Sequence, residues 1–343
     1  MNPEIAIVLS AFVIDLAVGD PRSLPHPVVG MGRVIAKLER PLRQAAASPL
    51  LRRLARPLAH PPGGSAEDRA LKLAGIAYPL LLVGGSFLGG WGLLFLLGLL
   101  HPWLAYGAAA WLISTTIAAR GLGDAGMDIY RLLKENKLPE ARHALSMIVG
   151  RDTDRLGESE ITRGAVETVA ENIVDAIISP LFYAFIGGAP LALAYRAANT
   201  LDSMVGYKNE KYRNLGWASA RFDDLANWIP ARLSALAIAA AAALLKLRAG
   251  RVLGTVRRFA RLHPSPNSGF PESAVAGALG IRLGGLNHYK GVPSDRARMG
   301  EPLEPLKAEH IRLAVRILYL SSILFVAAAA GVAFVVRHIV SHT

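Results

Sequence analysis

Between Glu158 and Arg232 the sequence sets three groups of carboxylates, amides and hydroxyls against apolar segments, where an unpaired charge is expensive. Read as a helix, ESEITRGAVETVAENIVDAIISP places Glu167, Glu171 and Asp175 at i, i+4 and i+8, with Arg163 one turn earlier. At about 100° per residue these four fall within an arc of roughly 120°, one acidic stripe that begins with a cation. The same arithmetic sets Asn199, Asp202, Ser203 and Gly206 on a second stripe and Asp223, Asp224 and Asn227 on a third. Such oxygen-rich faces suit a hard cation and its anionic ligand, because Mg2+ takes a few carboxylates and keeps waters and phosphate oxygens. Glu167, Glu171, Asp175 and Asp224 are the candidate metal ligands.

Each stripe also has a plainer reading. Glu167 could pair with Arg163 on a solvated helix face, although wholly apolar residues follow and Asn172 sits among the carboxylates. NTLDSMVGYKNEKYRN could be a helix closed by Gly206 with a basic tail, or Asp202 beside Lys208, Lys211 and Arg213 as phosphate ligands. In ARFDDLANWIPARL the adjacent Asp223 and Asp224 repel each other unless Arg221, Arg232, a cation or a shared proton relieves them. HPSPNSGFPES reads as a turn with Glu272 capping the helix after Pro271, and its backbone N–H groups could cradle an anion.

These groups need a scaffold, and composition indicates a membrane one. The chain has 343 residues, 52% hydrophobic and 19% charged, with a mean hydropathy of +0.33. No Lys, Arg, Asp or Glu occurs in the 47 residues between Lys72 and Arg120, room for two spans of roughly 20 residues. The net charge of +12 does not point to nucleic acid, since the cations flank apolar segments without aromatic interleaving. Absence of cysteine excludes disulfides and thiolate metal sites.

In order, residues 3–19 read as a marginal first span, not a cleaved signal peptide. The prolines and glycines of GDPRSLPHPVVGMGRVI argue against a regular helix there, which leaves Asp15, Asp20 and His26 on a loop at the membrane surface. Residues 20–72 form a basic cytoplasmic loop, with nine Lys or Arg against three acidic residues between 33 and 72. Residues 73–119 are a transmembrane hairpin turning at His101-Pro102-Trp103, and 120–232 hold the catalytic core. GLGDAG at 121–126 matches a dinucleotide fingerprint but follows a hydrophobic helix instead of a strand, so it is not read as one. Residues 124–150 are an amphipathic helix pair. ISPLFYAFIGGAPLALAYRAA reads as a re-entrant hairpin turning at GGAP, which returns the second stripe to the side of the first. The Ala-rich run 233–245 is a short buried or shallow helix, 246–312 a cytoplasmic segment, and 317–336 the last span. The expected fold is all-α, a single polytopic membrane domain over 1–343 with about five membrane segments and cytoplasmic polar loops.

Taken together, DLAVGDPRSLPHPVVGMGRVI, GRDTDRL, RGAVETVAENIVDAIISPLFY, YRAANTLDSMVGYKNEKYRNLGWASARFDDLANWIPARL and HPSPNSGFPESAVAGALGIRLGG resemble the adenosylcobinamide-phosphate synthase family of cobalamin-biosynthesis membrane proteins. The resemblance runs from Asp15 to about Gly300; five modest motifs in the right order make it specific. It implies an ATP- and Mg2+-dependent amide ligase of the inner membrane with its site facing the cytoplasm. That enzyme would join adenosylcobyric acid to (R)-1-aminopropan-2-ol or its O-phosphate, in contact with the bilayer and with other enzymes of the pathway. Under this reading Glu171, Asp175, Asp202, Asp223 and Asp224 bind metal and deprotonate the amine. Lys208, Arg213, Arg221 and Arg232 hold phosphate. Asn172, Asn199, Ser203, Asn227, Ser265 and Asn267 orient the acyl group or nucleotide, and Asp20 and His26 complete the pocket. A transporter for an anionic metabolite and a non-catalytic sensor of the same fold are the competing classes.

Overall fold

The computed structural model describes residues 3–19, 26–55 and 65–340. In chain order the helices are α1 (Pro3–Val18), α2 (Pro27–Ala47), α3 (Pro49–Ala55), α4 (Ala66–Gly75), α5 (Ala77–Leu100), α6 (Pro102–Ser114), α7 (Ala119–Lys134), α8 (Leu138–Ser146) and α9 (Glu158–Ile173). A five-residue π turn, Val174–Ile178, joins α9 to α10 (Ser179–Val205). Then come α11 (Trp217–Ala226), α12 (Trp228–Leu244), α13 (Ala249–Phe259), α14 (Gly269–Leu279), β1 (Leu283–Tyr289), β2 (Val292–Met299) and α15 (Glu309–Val340). The protein is therefore mostly helical, with one antiparallel hairpin in a stretch where the sequence suggested only polar cytoplasmic chain.

Two compact units are interleaved along this chain. The first holds residues 1–14, 20–116 and 180–226; the second holds 15–19, 117–179 and 227–343. Among the described residues three helices are long and apolar enough to cross a membrane, within Ala66–Leu100, Glu158–Val205 and Glu309–Val340. A fourth candidate exists if Trp217–Ala226 and Trp228–Leu244 are taken together. Leu80, Leu88, Leu99 and Leu100 on α5 and Val332 and Phe334 on α15 are exposed, which suits lipid and not water. At 16 residues, α1 falls short of the roughly 20 needed for a perpendicular crossing.

In the first unit a core of Met31, Ile35, Leu42, Tyr78, Leu82, Leu193, Leu201 and Leu215 ties α2, α5 and α10 together. The Tyr78 hydroxyl, fully buried, donates to the Ile35 carbonyl. Here α2 corrects the expected loop: Pro27 stands at the first helical position, where no N–H is needed, and His26 Nδ1 accepts the Val28 N–H at 3.3 Å. The chain turns at His101-Pro102, with His101 Nδ1 capping α6 through Trp103 N–H at 3.3 Å, but α6, at 13 residues, is shorter than the expected second span.

The expected reversal at GGAP is also present. Helical backbone is interrupted at Gly187 and at Gly188, whose φ of 65° and ψ of −158° suit only glycine. Tyr183 and Tyr195 stack across the break with ring centroids 5.3 Å apart. In a straight helix, residues twelve apart are separated by about 18 Å, so the two arms fold back on each other. Without the break, the 48 residues of Glu158–Val205 would make a rod of about 72 Å, more than twice a bilayer core.

In the second unit α7, α9, α12 and α14 pack with α15. The GLGDAG glycines serve this packing: a Cβ on Gly123 would lie 2.1 Å from Tyr319 Oη, and one on Gly126 would lie 2.9 Å from Val315 Cγ2. Asp15 is not on a surface loop. It is buried at the end of α1, where Oδ2 accepts the Ala119 N–H at 3.1 Å and caps α7, while Arg120 Nη1 returns a bond to the Ala17 carbonyl.

Two stability predictions follow from these positions. Gly188→Ala should destabilise the detergent-purified protein by about 1–3 kcal/mol, because only glycine is at ease at that backbone geometry. Asp15→Ala should cost about 1–2 kcal/mol through loss of the α7 cap. Chemical denaturation of each variant measures both; an unchanged midpoint would remove the assigned role.

Candidate functional site

The acidic stripe survives in the structure, but its members are treated very differently. Glu167 on α9 is 5% exposed and fully engaged. Its Oε2 accepts Arg151 Nη2 at 2.5 Å, and its Oε1 accepts the Gly284 N–H at 2.7 Å. Arg151, 9% exposed, also donates to Asn287 Oδ1 at 2.7 Å. Arg163, one turn before Glu167, donates to the Gly284 and Leu286 carbonyls and to Asn287 Oδ1. A buried carboxylate and two guanidinium groups thus neutralise one another and clamp β1 onto α9, with Arg163 Nε left 4.0 Å from Glu167 Oε1.

The loop GRDTDRL completes this clamp from the other side. Lys290 and Gly291 form the two-residue turn between β1 and β2, both at positive φ, 52° and 78°. Asp152 accepts both turn N–H groups, at 2.9 and 2.7 Å, and these bonds from Gly291 and Lys290 lower its pKa. An acceptor for two otherwise free donors explains why a lysine is held in a left-handed conformation.

Glu171 differs: its Oε1 accepts Ser268 Oγ at 3.0 Å, and it makes no ion pair among the described residues. Ser268 is the last residue before α14, and Ser265 Oγ accepts the Asn267 and Ser268 N–H groups at 3.2 and 3.3 Å. The loop carrying these residues is anchored by His263, whose Nδ1 accepts the Ser265 N–H at 3.0 Å. Arg232 on α12 lies between the rings of Trp228 and Phe270, 4.4 and 4.3 Å from their centroids, and donates to Asn267 Oδ1 at 3.1 Å. Two aromatic faces and a fixed acceptor hold this guanidinium in one plane.

Behind the loop, Glu272 of α14 is only 3% exposed and its Oε1 lies 3.7 Å from His263 Nε2. Burial raises the Glu272 pKa well above the usual carboxylate value, and the charges of Glu171 and Glu167 push it further. Burial likewise holds the His263 imidazole below its ordinary value, against the pull of Glu171. Sequence reasoning took Glu272 for a helix cap and missed His263 and Arg151. A usable signal existed, since Glu272 is the only Asp, Glu, Lys or Arg between Arg261 and Arg282.

Of the other candidates in this unit, Asn172 Nδ2 donates back to the Thr168 carbonyl at 2.9 Å. Asn227 is buried and accepts Ser179 Oγ at 2.5 Å, and Asp175 sits in the π turn, where i+4 spacing ends. No group of three or more His, Asp or Glu side chains arranged to hold a metal ion occurs among the described residues. With both oxygens of Glu167 committed, the donor set does not fit a resident ion.

In the first unit the structure brings Asp224, Arg221 and Lys208 together. Arg221 Nη1 lies 3.6 Å from Asp224 Oδ2, and the Lys208 charge also acts on Asp224. Asp223 is buried beside them, close enough for its charge to act on Tyr183. Asn199 Oδ1 accepts Arg196 Nη1 at 3.4 Å, its carbonyl accepts Ser203 Oγ, and the Asp202 carbonyl accepts the Gly206 N–H. Lys211 is neutralised by Glu39 at 3.1 Å, and Arg213, exposed, feels the charge of Asp68. His26 is the cap of α2, and Asp20 lies outside the described residues.

These features define a helical protein of membrane character with a buried carboxylate–guanidinium cluster beside a polar loop-to-helix junction. The chain belongs to the CobD/CbiB family, whose model matches residues 8–318. It is 44% identical over 325 residues to the cobalamin biosynthesis protein CbiB of Salmonella paratyphi B, covering 94% of this chain and 96% of that one. The cobalamin biosynthesis protein CobD of Geobacter metallireducens is 47% identical over 325 residues, 95% of each chain. That of Klebsiella pneumoniae is 44% identical over 324 residues, 94% of this chain and 96% of its own. No solved structure matches the chain.

Removing one partner of the buried ion pair should be severe. Arg151→Ala leaves Glu167 charged without its main partner, at a cost of about 3–5 kcal/mol. Arg151→Met combined with Glu167→Gln should recover part of that loss, read as thermal midpoints in detergent; equal loss in both would deny that charge is the cause.

Proposed function

We propose that the chain is a membrane-bound amide ligase of cobalamin biosynthesis, which joins the propionate carboxylate of adenosylcobyric acid to (R)-1-aminopropan-2-ol or its O-phosphate in an ATP-dependent reaction. Membership of the CobD/CbiB family supports the pathway. The single structural observation that carries the ligase reading is Glu171: a half-buried carboxylate without an ion pair among the described residues, held by Ser268 just before α14 and near a stacked arginine.

A carboxylate does not condense with an amine in water, so the acid must first be activated. ATP supplies a phosphoryl group that turns the corrinoid carboxylate into an acyl phosphate. Attack by the amine nitrogen forms the C–N bond, breaks the C–O bond to phosphate and releases a proton from nitrogen. Glu171 is the group assigned to take that proton. Arg232, fixed in plane, and the backbone N–H groups around Ser265, Asn267 and Ser268 would hold phosphate oxygens. Positioning and charge neutralisation are what phosphoryl transfer asks of a protein. Mg2+ is assigned to the nucleotide with which it arrives, and no step depends on a resident ion.

In the first unit Asp224, Arg221 and Lys208 are assigned to substrate or nucleotide, with Asp202, Asp223, Asn199, Ser203, Arg213 and His26 as supporting contacts. The family reading adds Asp20, Asn172, Asp175 and Asn227. The excess of Lys and Arg between residues 33 and 72 supports an inner-membrane enzyme whose site faces the cytoplasm.

The test is a ligation assay on detergent-purified protein with adenosylcobyric acid, ATP, Mg2+ and each amine, the corrinoid product followed by mass. ATP-dependent gain of the amine's mass is expected, and the preferred amine fixes the substrate. Glu171→Gln should lower the rate by about 10^2- to 10^4-fold, the usual worth of a general base. Asp224→Asn should abolish ligation without affecting membrane insertion. Absence of product with ATP untouched, in folded protein, would overturn the reading in favour of transport.

A further inference from the structure

The first unit carries an apolar trough to which the ligation chemistry above gives no part. One wall runs along α5 from Ile76 to Gly84, and the other along α11 from Trp217 to Leu225, each by residues three and four apart on one helix face. Each wall covers about 12 Å of helix axis, most of the roughly 15 Å that makes half a bilayer core. The trough holds about 470 Å³, within the range of roughly 300–1,000 Å³ found for ligand sites. A Cβ on Gly84 would meet nothing within 4 Å, so glycine leaves the slot wide at that level. Val83, Phe222 and Leu225 also line a second cavity, which runs on to Leu191 and the stacked Tyr183 and Tyr195 beside the fold-back of α10. The far end of the trough therefore opens toward the inside of the unit.

The near end is charged. Lys72, in the last turn of α4, has its ammonium 6.0 Å from the centre of the Trp217 ring and makes no ion pair among the described residues. Of the described residues that line the trough, Arg221 alone is charged, and Asp224 at 3.6 Å already balances it. Lys72 is also the last charge before the 47 residues that lack Lys, Arg, Asp and Glu, so it stands where a span enters the bilayer. Tryptophan is the side chain favoured at that depth. A cation at one end and an apolar slot at the other match the polarity of a phospholipid. A water-soluble anion would leave the apolar walls uncovered, and a neutral lipid would leave Lys72 without a counter-charge.

We propose that this trough binds one anionic phospholipid, its phosphate on Lys72 beside Trp217 and an acyl chain between α5 and α11. Every lipid in a bilayer can offer a chain, so the walls alone confer no preference; selectivity comes from the shape of the slot and from Lys72. The bound lipid joins α4 and α5 to α11, the helix that carries Arg221 and Asp224. The site stands independently of the ligase reading.

Native mass spectrometry of the full chain in detergent, titrated with phosphatidylglycerol or phosphatidylcholine of the same acyl chains, tests it. The wild type should hold one phosphatidylglycerol about fivefold more tightly than phosphatidylcholine, the worth of one juxtamembrane lysine. Lys72→Gln should erase that preference and keep the weaker binding common to both lipids. Gly84→Phe, which fills the open space, should weaken both by about tenfold, the worth of about two buried methylene groups, at an unchanged thermal midpoint. Inorganic phosphate should not compete. Equal affinity for the two lipids in wild type, or an undiminished preference in Lys72→Gln, would overturn the proposal, since lipid would then coat the trough as it coats any apolar face. Unchanged binding in folded Gly84→Phe would place the lipid elsewhere, and displacement by adenosylcobyric acid would give the trough to that substrate. Should Gly84→Phe fail to fold, Lys72→Gln, a change at a partly exposed side chain, decides alone.

Discussion

Glu167 is a carboxylate placed where water cannot reach it, and the second unit is built to meet that constraint. A buried ion pair gains little over a well-packed apolar pair, but half of one is very costly. The chain therefore supplies Arg151 from the loop before α9, the Gly284 N–H from β1, and Arg163 from the preceding turn. Each of these groups then needs partners of its own. Asn287 bridges the two guanidinium groups, and the carbonyls of Gly284 and Leu286 accept from Arg163 Nη1 and Nη2. The β hairpin is held by this demand, not by an apolar face of its own, since much of β2 is exposed. One stripe of acid on a helix thus divides into Glu167, committed to Arg151 and Gly284, and Glu171, which accepts the Ser268 hydroxyl.

The parts of the fold that hydropathy writes directly were legible in the sequence. The α5–α6 turn at His101-Pro102, the long apolar α15, and the fold-back at Gly187-Gly188 all follow from local composition and breakers. The start of α2 was not, because proline and glycine act as helix breakers in general yet are tolerated at the first position and against a packing neighbour. The hairpin was hidden for a different reason: its strands lack clear alternation, and its anchors Arg151, Asp152 and Arg163 lie more than 120 residues away in sequence.

Periodicity indicated the acidic stripe, while turn-forming residues pointed to the junction at Ser265–Asn267. It could not say that Glu167 would be consumed by Arg151, because that pairing crosses a loop and no helical spacing encodes it. Glu272 was misread because capping is a short-range rule applied to a residue whose surroundings are set by tertiary burial. GLGDAG shows the opposite error being avoided: the glycines that resemble a phosphate loop are spent on letting α7 approach α15.

The interleaving of the two units bears on how the chain is made. Residues 15–19 belong with a body that begins at residue 117, and residues 180–226 return to the first body after α9 has left it. The Gly284 N–H that Glu167 needs emerges 117 residues after the carboxylate itself. During synthesis at about 5–20 residues per second, α9 therefore waits several seconds for its partner. Over that interval Glu167 has Arg151, already made, but lacks the second donor, which β1 supplies. The clamp of β1 on α9 is thus completed late in synthesis, after both members of the ion pair that neutralises Glu167 have been made.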